Sequence, residues 1–397
     1  MLIELFIALL IGVCAGIFTG LMPGIHINLI GSMLIGVIPT SPFFLSINSL
    51  YFVVFIVSMA TTHTFVDFIP SIFLGCPDTD TELSILPGHK LLNEGKGYEA
   101  VMLTAYGGLA AIFIFIILFF PLIIIVERTY DNIKIVIPYF LIFILMLLIY
   151  SEKHKFSAIF AFALTGLLGI ITFGLELKEP LLPLLTGLFG SSMLILSIKN
   201  KTQIPKQNEI YEKITNLKKP LLGTLIASPL CGFLPGLGSG QAAVIGNSIV
   251  KTDTKGFLVL LGATNTLVMS FSFIALYTIS KTRTGTAAAI ENIFGTLSSN
   301  VLAVIIFAVL VSGILSFFIT KKLAKFFIKK LTKINYTKLA FYTLILLTLI
   351  VLIFSNFLGL IVFMISTLTG IYCMQLNIRK TNMMGCLLLP TIIFYLF

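Results

Sequence analysis

The sequence predicts an all-α, polytopic helical membrane protein of two homologous, inverted repeats with broken, re-entrant helices. Of its 397 residues, 58% are hydrophobic and 11% charged, where a soluble domain keeps about 25% charged. Uncharged runs such as 156–174 and 301–320 reach the roughly 20 residues that a bilayer-crossing helix needs. The phrase Gly-x-x-Pro-Gly occurs twice, as Gly20-Leu-Met-Pro23-Gly24 and Gly232-Phe-Leu-Pro235-Gly236, at an offset of 212 residues (Pro23 to Pro235). Proline lacks the helical N–H and glycine admits the angles that end helices, so each phrase breaks a membrane helix. Non-helical backbone at membrane depth is tolerated only inside protein or along a wet cavity. Broken helices at matching places in two halves point to a transport site.

In order along the chain, residues 1–19 read as a retained membrane helix, since the first Lys or Arg is Lys90 and no basic leader precedes it. Gly12, Gly16 and Gly20 give that helix one smooth face for close approach. The Pro23-Gly24 break follows, with a short apolar arm to Gly36. The segment 46–60 then enters the membrane and meets the polar patch Thr61-Thr-His63-Thr-Phe-Val-Asp67-Phe-Ile-Pro70. Residues 75–99 are polar and turn-rich. Long helices are expected at 100–126, flexed near Gly107-Gly108, and at 135–151, 156–174 and 181–198. The stretch 199–220 holds six lysines and reads as a linker. The pattern then starts again, with 221–231, the second break, an arm at 241–250 and a helix containing Gly262-Ala-Thr264-Asn265-Thr266. Val301–Thr320 follows, then the basic 321–338. The uncharged 339–376 is too long for one helix and is expected to turn at Ser355-Asn356, before a last apolar segment. The units are therefore a first membrane repeat (1–200), a basic linker (201–219) and a second repeat (220–397). Thr62-His63-Thr64 matches Thr264-Asn265-Thr266, and Leu164-Thr-Gly166 matches Leu368-Thr-Gly370, at nearly constant offset.

The net charge of +10 comes from lysines in two clusters, 199–219 and 321–338. Basic loops beside membrane helices set orientation and touch anionic lipid, so no nucleic-acid partner is expected. The five cysteines have no metal-binding spacing. Neither G-x-S-x-G, H-E-x-x-H nor a P-loop occurs, so no enzyme chemistry and no cofactor is expected.

Asp67 lies in an otherwise apolar segment four residues after His63, so a helix puts both on one face. An ionisable group at that depth is costly and marks an ion or substrate path. His63 and Asp67 are the ion-coupling candidates, for H⁺ or Na⁺. A metal pair of His63 and His26 lacks a third ligand. Pro23, Gly24, His26 and Asn28 at the first break form one half of the expected substrate site. Pro235, Gly236, Gly238, Ser239 and Gln241 at the second, with Thr264 and Asn265 beyond it, form the other. Freed amides at the half-helix starts suit a small organic anion. An anionic lipid headgroup would use the same ends, so a lipid-directed protein such as a polyprenyl-phosphate flippase is the alternative. Lys281 and Arg283 suit either an anion or a headgroup anchor.

At these residues the chain resembles the TctA family, the large permease of tripartite tricarboxylate transporters, in its shorter archaeal branch. The resemblance rests on Gly20-Leu-Met-Pro-Gly24, on the run from Gly75-Cys-Pro-Asp through Leu86-Pro-Gly-His-Lys90 to Gly95-Lys-Gly-Tyr-Glu-Ala100, and on Gly232-Phe-Leu-Pro-Gly-Leu-Gly238. It implies ion-driven uptake of a carboxylate by a multi-pass cell-membrane permease. A small membrane subunit and an extracytoplasmic binding protein are the implied partners. The family's Glu-Ala-Ala-Asn-Asn stretch stands here as Gly262-Ala-Thr-Asn265-Thr, and its second Ile-Pro-Gly-Ser turn as Ile279-Ser-Lys-Thr-Arg-Thr. Both departures fall at the expected site.

Overall fold

The computed structural model describes residues 2–22, 31, 34, 47–75, 81–150, 152–177, 180–199, 205–209, 217–234, 237–331, 336–376, 378 and 380–396. Among them there is no strand. Helix α1 (Leu2–Leu21) lays its glycine face on α2 (Ser49–Val66). A Cβ on Gly12 would lie 2.4 Å from the Phe55 carbonyl oxygen, and one on Gly16 would lie 2.5 Å from that of Met59. Gly20 meets Val66, so contacts ascend together and the two helices run parallel. Asp67 separates α2 from α3 (Phe68–Leu74), which Gly75 ends at φ 68° in the left-handed region.

Over its described residues 81–99, the polar segment beyond is mostly helical. A 3₁₀ turn (Glu82–Ser84) leads into α4 (Ile85–Asn93). Next, α5 (Gly97–Tyr150) joins what reads in sequence as two helices. Its polar stretch Glu127-Arg128-Thr-Tyr130 holds neither glycine nor proline, and Glu and Arg are good helix formers. Pro121 and Pro138 lie inside the helix, whose part Gly97–Tyr130 is long and apolar enough to cross a membrane. Helix α6 (Lys155–Gly174) is as expected. The single helix expected at 181–198 is instead α7 (Leu181–Leu185), a π-helical stretch (Thr186–Ser191) and α8 (Ser192–Lys199).

The second half comprises α9 (Lys218–Phe233), α10 (Ser239–Val250), α11 (Thr254–Ile279) and α12 (Gly285–Phe294). It continues with α13 (Ser299–Leu331), α14 (Tyr336–Gln375) and α15 (Gly385–Leu396). Asp253 caps α11 by accepting from Gly256 N at 2.9 Å. Asn356, at φ 57° and ψ −168°, breaks α14 at the turn read from the sequence.

Among the described residues, seven helices are long and apolar enough to cross a membrane. The spans built on α2–α3 and α11 are almost wholly buried and form the centre. Outward faces carry Phe6, Ile117, Phe120, Phe307 and Ile353, which suit acyl chains. Lipid gives helices no hydrophobic reason to associate, so close packing and hydrogen bonds hold the bundle. That closeness is extreme between α5 and α11. A Cβ on Gly107 would lie 2.1 Å from the Val259 oxygen, and one on Gly262 would lie 2.0 Å from that of Thr104. The expected flexure at Gly107-Gly108 is thus a contact inside a continuous helix.

Each half packs on the other. Glu99 pairs with Lys255 at 2.6 Å, and Phe115 meets Phe271 with ring centroids 6.1 Å apart, so α5 runs parallel to α11. Against α13 the order reverses. Lys325 lies 5.8 Å from the Tyr98 ring, Phe317 lies 5.0 Å from Tyr106, and Gly313 touches Ile112, so α5 and α13 run antiparallel. Helix α6 packs on α15 where Gly169 faces the Cys386 carbonyl. The second part of α14 packs beyond α7, where Gly370 faces the Leu188 carbonyl. The expected linker is stitched down over its described residues 205–209. Gln207 Oε1 accepts from Gly97 N at 2.8 Å while its Nε2 donates to Leu92 O. Asn208 N donates to Gly95 O at 2.8 Å, and Glu209 pairs with Lys329 at 3.3 Å.

Candidate functional site: a buried polar seam between α2 and α11

Where α2 crosses α11, the two matched triplets meet. Thr64 Oγ1 and Thr266 Oγ1 share a hydrogen bond of 3.2 Å, although they lie 202 residues apart. Asn265 Nδ2 donates to Asp67 Oδ2 at 2.9 Å and to Thr64 O at 3.3 Å. Asp67 is only 3% exposed. A carboxylate so buried needs donors or a cation to offset its lost hydration, and the Asn265 amide is one such donor. Its place at the junction of α2 and α3 turns it into the seam while its backbone N–H still bonds His63 O.

Two further hydrogen bonds tie the seam to its flanking helices. His63 Nδ1 lies 3.1 Å from Thr19 Oγ1 of α1. Ser316 Oγ of α13 donates to Thr62 Oγ1 at 2.9 Å. The structure thus brings Asp67 and Asn265 into contact, while the His63 ring meets Thr19 of α1. Thr264 is different, because its hydroxyl bonds back to Leu260 O and Leu261 O within α11. Thr266, two residues on, makes the contact instead. Thr19, Thr62, Thr64 and Ser316 are seam members that sequence reasoning did not place in the site. The triplet match contained Thr64 and Thr266, but nothing marks Thr19 or Ser316 among other hydroxyls in apolar runs.

The second break supplies a different surface. Gly238 caps α10 in extended backbone, and its N–H donates to Gln241 Oε1 at 2.9 Å. Gln241 is 5% exposed, and its Nε2, a donor, has no acceptor among the described residues. That buried donor sits in the first turn of α10, beside amides with no helical acceptor. Gly246 and Gly223 pack together against Leu260, and Ser239 lies about 10 Å further along α10 at 1.5 Å per residue. There Leu237, Ala242 and Ile245 pack in one cluster with Val268 of α11, one turn from Thr264 and Asn265. Pro23, Gly24, His26, Asn28, Pro235 and Gly236 lie outside the described residues. Gly31, in the first arm, abuts the start of α12, where a Cβ would lie 2.3 Å from the Gly285 carbonyl. Among the described residues no cluster of three His, Cys, Asp or Glu could hold a metal ion.

Near Lys281 and Arg283 the outcome is specific. Arg283 Nη2 donates to Tyr130 OH at 2.7 Å, fastening the loop after α11 to α5.

Buried central helices, lipid-suited outer faces and a polar seam describe a multi-pass membrane protein. The chain belongs to the tripartite tricarboxylate transporter TctA family, whose sequence profile matches residues 6–385. It is also similar to a Methanocaldococcus jannaschii protein described as "Uncharacterized protein MJ1079", 32% identical over 402 residues and covering 98% of each chain. No solved structure matches it.

Proposed function

We propose that the protein is an ion-coupled permease for a small carboxylate, which binds where the α10 N-terminus faces the seam. The observation that carries this reading is the buried Gln241 Nε2 at a helix start, a donor pair suited to a carboxylate oxygen. Pro235, Gly236, Gly238 and Ser239 would shape that start, and Pro23, Gly24, His26 and Asn28 its counterpart. His63 and Asp67, with Asn265, would take the coupling ion, H⁺ or Na⁺. Membership of the TctA family supports the transport role, and with it a small membrane subunit and an extracytoplasmic binding protein as partners.

The halves 1–200 and 220–397, with 201–219 between them, would act as inverted repeats around the seam. Support comes from α5 and α13, which begin at matching offsets and run antiparallel, and from the direct Thr64–Thr266 contact. Opening at either face would then amount to exchanging the roles of the halves.

The test is a melting-temperature screen of the purified protein with mono-, di- and tricarboxylates, with Na⁺ or choline as cation. A ligand at a hundredfold excess over its Kd stabilises by about 2.7 kcal/mol. A carboxylate shift lost in Gln241→Leu supports the site. Protection by polyprenyl phosphate alone would transfer the reading to lipid handling.

A further inference from the structure

Away from the seam, the π-helical stretch Thr186–Ser191 gathers a second set of buried oxygens against α14. π turns are rare, and inside longer helices they frequently mark functional sites. A Cβ on Gly187 of this stretch would lie 2.4 Å from Ser366 Cβ and 2.8 Å from Phe363 O, so the two backbones nearly touch. Ser191 Oγ reaches Gly187 O at 3.2 Å and also Thr367 Oγ1, which in turn reaches Phe363 O at 2.6 Å. Two hydroxyl protons serve these three oxygen-to-oxygen contacts, so one contact sets lone pairs face to face. Ser366, at 0% exposure, adds a hydroxyl with no hydrogen-bond partner among the described residues. Ser191 and Thr367 are buried as well. One turn of each helix thus presents a buried group of oxygens that is short of donors. Such a group is completed by a ligand or by water.

Charge decides between ligand classes. Residues 181–198 and 339–376, which supply all of these oxygens, contain no Asp, Glu, Lys or Arg. An anion would meet only lone pairs. A divalent cation is held by acidic ligands, and none is offered on either segment. Neutral oxygens, by contrast, replace the hydration shell of an alkali ion, as carbonyl rings do in channels. The close approach of Gly187 to Ser366 leaves a narrow cleft, and cavity size then favours the smaller ion. We propose that the π stretch and α14 bind Na⁺ through the Ser191, Ser366 and Thr367 hydroxyls and the Gly187 and Phe363 carbonyls. The site shares no residue with the α2–α11 seam. It also requires no carboxylate, so it goes beyond the permease reading and does not depend on it.

The experiment follows the melting temperature of the purified full chain, without carboxylate, as NaCl or KCl replaces choline chloride at constant ionic strength. Retention of radiolabelled Na⁺ by the folded protein is measured alongside. Na⁺ should raise the melting temperature saturably, and K⁺ should need a concentration roughly tenfold higher or more for the same shift. Ser366→Ala removes a hydroxyl that bonds no described residue, and Ser191→Ala removes a second oxygen. Each should weaken Na⁺ by roughly tenfold or more, and if one variant fails to fold the other decides. Equal shifts with Na⁺, K⁺ and choline, or no Na⁺ retained by the folded wild type, would leave these oxygens to water and overturn the site. A Na⁺ shift that survives both serine variants and disappears in Asp67→Asn would place the ion in the seam and overturn it equally. None of these failures touches the permease reading, which is judged by carboxylate binding.

Discussion

Asp67 and Asn265 make one unit of a carboxylate and its donor, and they should behave as one. Asn265→Ala takes a donor from a buried charge and should destabilise by about 1–3 kcal/mol. The double variant Asp67→Asn/Asn265→Ala should recover part of that, because no charge is then left wanting the donor. Simple additivity of the two melting-temperature changes would show the pair to be uncoupled. The Thr64–Thr266 contact is weaker. A Thr64→Val/Thr266→Val cycle should give a coupling of about 0.6 kcal/mol, the average for interhelical hydrogen bonds in a membrane. The sequence exposed both triplets but not which threonine of α11 would face the partner. Thr264 and Thr266 point about 200° apart around a helix, and α11 is apolar nearly all round, so no polar face orients it. Partner geometry decides, and Thr266 wins.

Among the elements, glycine packing is the sharpest structural demand. Gly107→Leu or Gly262→Leu would force side chains into carbonyl oxygens about 2 Å away and should abolish the folded, monodisperse protein in size-exclusion chromatography. Gly174→Ala, at the end of α6 with nothing within 4 Å, should elute as wild type. Helix starts are a second demand. Glu99 is 4% exposed as a side chain and paired with Lys255. Removing only the lysine leaves a buried charge alone, which costs more than removing both partners. Lys255→Met should therefore melt lower than Glu99→Gln/Lys255→Met, and the reverse order would deny the pair a structural role. Sequence reading found the helix break at Asn356 because glycine and polar residues flank it. It split α5 wrongly because the Glu127–Tyr130 stretch is polar without being a helix breaker.

For the molecule as a whole, composition made the membrane class plain, while the two Pro-Gly pairs lie outside the described residues. What composition could not show is which helix of one half lies against which of the other, since that depends on the depths at which glycines and carbonyls meet. Those depths also separate the two ends of the bundle. Lys325, Lys329 and Glu99 gather at one end, and Tyr130 with Arg283 at the other. Basic loops stay cytoplasmic. A cysteine at position 329 should thus react with an impermeant thiol reagent only after vesicles are opened, and one at 127 while they are intact. Labelling of both from one side would contradict the arrangement.

The packing of each half on the other also bears on how the chain is made. While only the first 200 residues have entered the bilayer, Asp67 lacks Asn265, Thr64 lacks Thr266, and Gly107 has no Val259 to lie against. The early intermediate carries its polar groups toward lipid or toward insertion machinery until α11 and α13 arrive. Synthesised alone, the first half should be short-lived, cleared by membrane proteolysis. Expressed together as two polypeptides divided in the linker, the halves should rescue each other and co-purify.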